Sequence, residues 1–138
     1  MQHRYRSPGF IFLVLFLTLS ILLMLAGQTM ALVDYDLAVS LGLQESREQV
    51  GGYGVQINRA FGAGDSFVYI PLMAISLLGL LRRKRWALLT GTATAGISCY
   101  WSVTIGFLLY FLPGTTGYEN EPGLGIWIFV ASYAAFGS

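Results

Sequence analysis

Along the chain, charged residues crowd into short stretches and leave long apolar runs between them. The first run, Gly9 to Val33, has 25 residues and no charge. At ~1.5 Å of rise per residue, a helix of that length exceeds the ~30 Å hydrocarbon core of a bilayer. The second run, "SFVYIPLMAISLLGLL" from Ser66 to Leu81, is short. It is expected to borrow residues from the preceding "RAFGAGD", or to thin the bilayer around it. Pro71 falls near its start, where a helix best tolerates a missing N–H, and Asp65 or Ser66 is the expected cap. The third run, Trp86 to Leu112, is the longest and most polar. The fourth, "GLGIWIFVASYAAF", follows Pro122, which suits a first helical turn. From Pro122 to Ser138 a helix rises about 26 Å, short of a comfortable span, which leads to the expectation of a further C-terminal tail.

This pattern predicts an all-α integral membrane protein, a four-transmembrane-helix bundle forming one domain over residues 1–138. The expected order is a first segment at 9–33, an outer loop at 34–65, a second segment at 66–81 and an inner turn at 82–85. A third segment at 86–112, a second outer loop at 113–121 and a fourth segment at 122–137, incomplete as it stands, follow. Composition agrees: 55% of residues are hydrophobic and 11% charged, against roughly 25% charged in soluble domains. Mean hydropathy is +0.63.

The charges give the segments a direction. Arg4 and Arg6 precede the first run, and Arg82, Arg83, Lys84 and Arg85 join the second to the third. All seven acidic residues (Asp34, Asp36, Glu45, Glu48, Asp65, Glu119, Glu121) fall in the other two loops, with Arg47 and Arg59 beside them. Lys and Arg of short loops collect on the cytoplasmic side. The expected placement is therefore a plasma or inner membrane with both termini cytoplasmic. Arg82 to Arg85 form the cytoplasmic anchor with the interfacial Trp86, and the acidic loops lie outside. "RRKR" is also the composition of a nucleic-acid patch, but apolar helices pin it on both sides, so no nucleic-acid partner is expected. Arg4 and Arg6 with "TMA" ending at Ala31 also fit a secretory signal. The uncharged core from Phe10 to Ala26 is longer than the ~7–15 residues usual there.

The third segment carries the most detail. Gly91, Ala95, Ser98, Ser102 and Gly106 recur at helical spacing and form a stripe on which another helix can approach closely. Tyr100, Val103, Phe107 and Phe111 fall on the opposite side. "CYWS", Cys99 to Ser102, lies near mid-segment, whereas Tyr and Trp favour membrane edges. Either Thr94, Ser98, Thr104, Tyr69 and Ser76 satisfy the Trp101 N–H and the Tyr100 hydroxyl, or Tyr69, Tyr100 and Trp101 wall a pocket for a lipid or quinone-like ligand.

Chemistry is otherwise sparse. No ionisable residue falls inside the four runs, which argues against a proton-coupled transporter. Gln28 is the most polar intramembrane side chain and is expected to bond to a neighbour. His3 is the single histidine and Cys99 the single cysteine, so no intrachain disulfide, cysteine–metal cluster or nucleophile–His pair is expected. The glycines of "GGYGVQINRAFGAGD" lack the strand-and-helix context of a phosphate loop. Asp34 and Asp36, with Glu45, Glu48 or Asp65, could collect a divalent cation, although separate solvated carboxylates are commoner. Within the first outer loop of 32 residues, "DLAVSLGLQESREQV" reads as a surface helix capped by Asp36 and stopped by Gly51. "YGVQI" reads as a short strand alternating Tyr53, Val55 and Ile57.

The layout of four segments, a larger first outer loop and a basic inner turn resembles that of claudin-like four-span proteins, whose outer cysteine pair this chain lacks. The expected function is non-enzymatic, without a metal or other cofactor. The first reading is an accessory subunit acting by lateral association in the lipid bilayer, with itself (a homo-oligomer) or another membrane protein. The alternative is a binding protein or carrier for a small amphipathic ligand.

Overall fold

The computed structural model describes residues 7–115, 118 and 122–138, and every regular element among them is helical. Arg4, Arg6, Glu119, Glu121 and much of the second outer loop lie outside the described residues. Helix α1 is Pro8–Val33. The Ser7 side chain accepts from the Phe10 amide at 3.3 Å and Pro8 opens the first turn, as a helix start favours. A wide π-type turn, Leu25–Thr29, interrupts it near its C-terminal end.

Helix α2 is Tyr35–Ser40. Its cap is Asp34 and not Asp36: Asp34 Oδ1 accepts from the Leu37 amide at 3.0 Å. The helix stops at Gly42, at φ +69°, where the Leu43 amide bonds back to the Ala38 carbonyl at 2.9 Å. Glycine takes this left-handed position without strain. The single surface helix expected from Asp36 to Gly51 is thus broken after one and a half turns.

Helix α3 is Arg47–Leu81, 35 residues long. Ser46 and Gln49 form a reciprocal capping box at its start. Gly51, at φ 66° and ψ 172°, kinks this helix without ending it. Two expectations fall here. The "YGVQI" stretch is helical, because fully buried Val55 packs with Ala31, Tyr35 and Ala38 in a small cap core; three alternating positions are too few to resist that packing. Asp65 and Ser66 cap nothing, because the helix runs through them. They belong to a second wide turn, Asp65–Tyr69. Pro71, just beyond it, has no N–H for the preceding turn, and the widened turn accommodates that loss.

The basic turn ends α3 in a Schellman arrangement. Lys84 N–H bonds to the Gly79 carbonyl at 2.9 Å and Arg83 N–H to the Leu80 carbonyl at 3.1 Å. Arg83 occupies the left-handed position, φ 52°, that glycine usually fills. Helix α4 is Trp86–Phe111 and helix α5 is Leu124–Gly137. Three helices, α1, α3 and α4, are long and apolar enough to cross a membrane, and α5 is a shorter apolar helix. Helix α4 packs on both α3 and α5, and α3 on α1. Stacked Phe16 and Phe136, 4.3 Å between ring centres, join α5 back to α1. The larger core lies among these four, around Tyr69, Met73, Trp101 and Tyr133.

Candidate functional site

The two wide turns face each other across α1 and α3. Thr29 Oγ1 and Ser66 Oγ lie 2.8 Å apart, and a Cβ placed on Gly62 would come within 2.5 Å of the Gln28 carbonyl. A π turn displaces backbone groups from their usual partners. Here Gln44 Nε2, from the loop after α2, reaches the Gly27 carbonyl at 3.4 Å. The loop is fixed from below as well. Tyr35 hydroxyl donates to the Glu45 carbonyl at 2.9 Å, and Asn58 Nδ2 meets both Glu45 Oε2 and the Tyr35 oxygen at 3.1 Å. Burial pushes the Tyr35 phenol above its usual pKa, with Asn58 opposing the shift. Outside this network, Arg47 pairs with Asp36 at 2.9 Å on the exposed surface and lies over the Tyr35 ring.

A cleft of about 460 Å³ opens between α1, this loop, the first half of α3, α4 and α5, within the range of small-molecule sites. Its walls change character along their length. Gln28, Gln44, Glu45, Gln49 and Asn58 line the cap end. Leu23 and Met24 of α1, Trp101 and Leu108 of α4, and Phe129 of α5 line the remainder. Among the described residues no lining residue is Lys or Arg. Trp101 is 7% exposed and its indole N–H has no acceptor among the described residues. It packs edge-on to Phe129 and tilted against Tyr133, with ring centres 5.7 and 5.5 Å away.

The expected pocket residues separate. Trp101 lines the cleft, but Tyr100 is 73% exposed and turned away from it. Tyr69 is buried in the core, where its hydroxyl bonds Ser98. Since Ser98 already donates to the Thr94 carbonyl at 2.9 Å, Tyr69 is the donor. Thr94 bonds Ser76 at 3.0 Å, so the hydroxyls expected to serve Trp101 serve α3 instead. Gln28 places its side chain on the cleft wall.

Of the small-residue stripe, Ser98 and Ser102 are buried. A Cβ on Gly137 would meet the Ala95 carbonyl at 2.7 Å and the Cys99 amide at 2.6 Å, so α5 crosses α4 closely there. One on Gly106 would reach Val130 at 4.0 Å, and one on Gly91 would meet nothing. Val103, Phe107 and Phe111 face outward with Tyr100, as their spacing predicts. Arg82, Arg83, Lys84 and Arg85 are exposed, and the Trp86 ring covers Gly79, where a Cβ would stand 2.6 Å from it.

The acidic residues do not converge. Among the described residues no three His, Cys, Asp or Glu side chains come together. Asp65, one residue before the second apolar run and expected in the outer loop, is 6% exposed inside α3, and its Oδ2 has no partner among the described residues. The charge placed it at a loop edge; the wide turn carries the helix past it. No family model matches the chain, and neither does any curated protein or solved structure compared with it.

Proposed function

We propose that this chain is a small multi-span membrane protein that holds an amphipathic ligand in the cleft between α1, the cap loop, the first half of α3, α4 and α5. In this reading α5 is a fourth crossing, the basic turn and both termini face the cytoplasm, and the cap formed by α2 and the start of α3 faces outward. One observation carries the reading. The cleft is lined by amides at its cap end and by apolar side chains toward the membrane-spanning helices, with a buried, unpartnered Trp101 N–H on its wall. Such a gradient matches a molecule with a polar head and an apolar body. No catalytic step is assigned.

Lateral association remains the second reading, and Tyr100 favours it. Tyr100 lies about 21 Å along α4 from Trp86 and is 73% exposed. A hydroxyl at that depth gains a hydrogen-bond partner if another chain packs there.

Purification in a mild detergent followed by native mass analysis separates the two. Ligand binding predicts a stoichiometric small molecule that Trp101→Phe weakens or removes, with Tyr100→Phe without effect. A protein partner lost on Tyr100→Phe, with no small molecule in either sample, would reverse the preference.

A further inference from the structure

Resting on the reading of the cleft as a ligand site, we infer that it selects amphiphiles whose headgroup is uncharged and rich in oxygen acceptors, and that it rejects anionic headgroups. Among the described residues the polar end of the wall is built from four amides, Gln28, Gln44, Gln49 and Asn58, with Glu45 as its one carboxylate. Amide NH₂ groups donate to hydroxyl, ester or carbonyl oxygens and carry no net charge. Asn58 already gives both hydrogens to Tyr35 and Glu45, and Gln44 gives one to Gly27. Gln28, Gln49 and the second Gln44 hydrogen are therefore the donors a headgroup meets. The Trp101 N–H is a further donor without an acceptor. A phosphate or carboxylate head is normally met by Arg or Lys, and neither lines the cleft. The two cations of the cap are engaged elsewhere: Arg47 with Asp36, and Arg59 with the Leu32 carbonyl at 3.4 Å. An anion entering the mouth would meet the Glu45 carboxylate on the wall. Asn58 already donates to Glu45 Oε2, which leaves this carboxylate poorly placed to recruit a cationic head in preference to a neutral one.

Trp86→Phe with Trp127→Phe leaves Trp101 as the single tryptophan, so its fluorescence reports the cleft. Chain-brominated monoacylglycerol, fatty acid and alkylamine of one chain length are titrated into the purified protein, and quenching is read. A short-tailed benzoquinone tests the other source of uncharged oxygen acceptors. Saturable quenching by the monoacylglycerol or the quinone, at least about tenfold tighter than by the fatty acid or the amine, is the expected result. Gln44→Lys keeps a donor for the Gly27 carbonyl and adds a cation, and it should shift preference toward the fatty acid. Unspecific quenching from the micelle would not respond to that change. Equal or tighter binding of the fatty acid or the amine overturns the headgroup inference and leaves the cleft as a ligand site. Failure of all four probes to quench saturably overturns both.

Discussion

Asp65 is the residue whose surroundings fit its chemistry least well. Its carboxylate is buried within the wide turn of α3, and Oδ2 has no partner. A charge in such a place is costly, and an unsatisfied polar atom costs roughly 1–3 kcal/mol even without full charge. Asp65→Asn keeps the shape and removes the charge while leaving one polar atom unpartnered, so it should stabilise the protein only through the lost charge, seen as a higher melting temperature in detergent. A lower one would show that the carboxylate holds the wide turn together. From the sequence, Asp65 looks like the last residue of a loop, because hydropathy changes abruptly there. Nothing in that local contrast reveals a π turn, which depends on Pro71 ahead of it and on α1 packed across it. Tyr100 and Trp101 show a related limit: adjacent residues on a helix differ by about 100° in direction, so one dipeptide serves two environments.

At the scale of helices, close approach is set by glycines outside the stripe that the sequence singles out. Gly62, at the crossing of the two wide turns, has no room for a methyl group against the Gln28 backbone. Gly62→Ala should cost ~1–3 kcal/mol, because two backbones and no flexible side chain must move. Gly91→Ala meets open space and should be silent or stabilise by up to ~1 kcal/mol through helix propensity. Paired thermal melts check both; equal effects would mean that α1 and α3 do not meet at residue 62. Helix α4 itself was legible from end to end, since a tetrabasic block and Pro113 bound an apolar run. Its buried strip passes through Thr94, Ser98, Trp101 and Ser102, overlapping the small-residue stripe but leaning toward Trp101. Aromatic bulk from Tyr133 and Phe129 decides that lean, and helical spacing within α4 carries no information about α5.

For the molecule as a whole, the distribution of charge sets an orientation that labelling can check. With Cys99→Ser as background, a cysteine at exposed Glu48 should react with an impermeant thiol reagent from outside, and one at Lys84 should not. The reverse pattern would invert the protein in the membrane. Helices α1 and α4 were readable from the length and composition of their apolar runs, but of α3 (Arg47–Leu81) only the part from Ser66 onward was, the rest being expected as loop, surface helix and strand. The cleft was not readable, because it is assembled from the loop after α2 and from four helices far apart in sequence. The basic turn has one more consequence, for how the chain is made. Arg83 stands in a left-handed conformation that costs a side-chain-bearing residue roughly 1–2 kcal/mol, and glycine would relieve it. Arg83→Gly should therefore raise the melting temperature of correctly inserted molecules. Removing one of four cations should also increase the fraction that the insertion machinery releases upside down, measured by protease protection of newly made chains. On the proposed orientation, stability and insertion make opposite demands on residue 83.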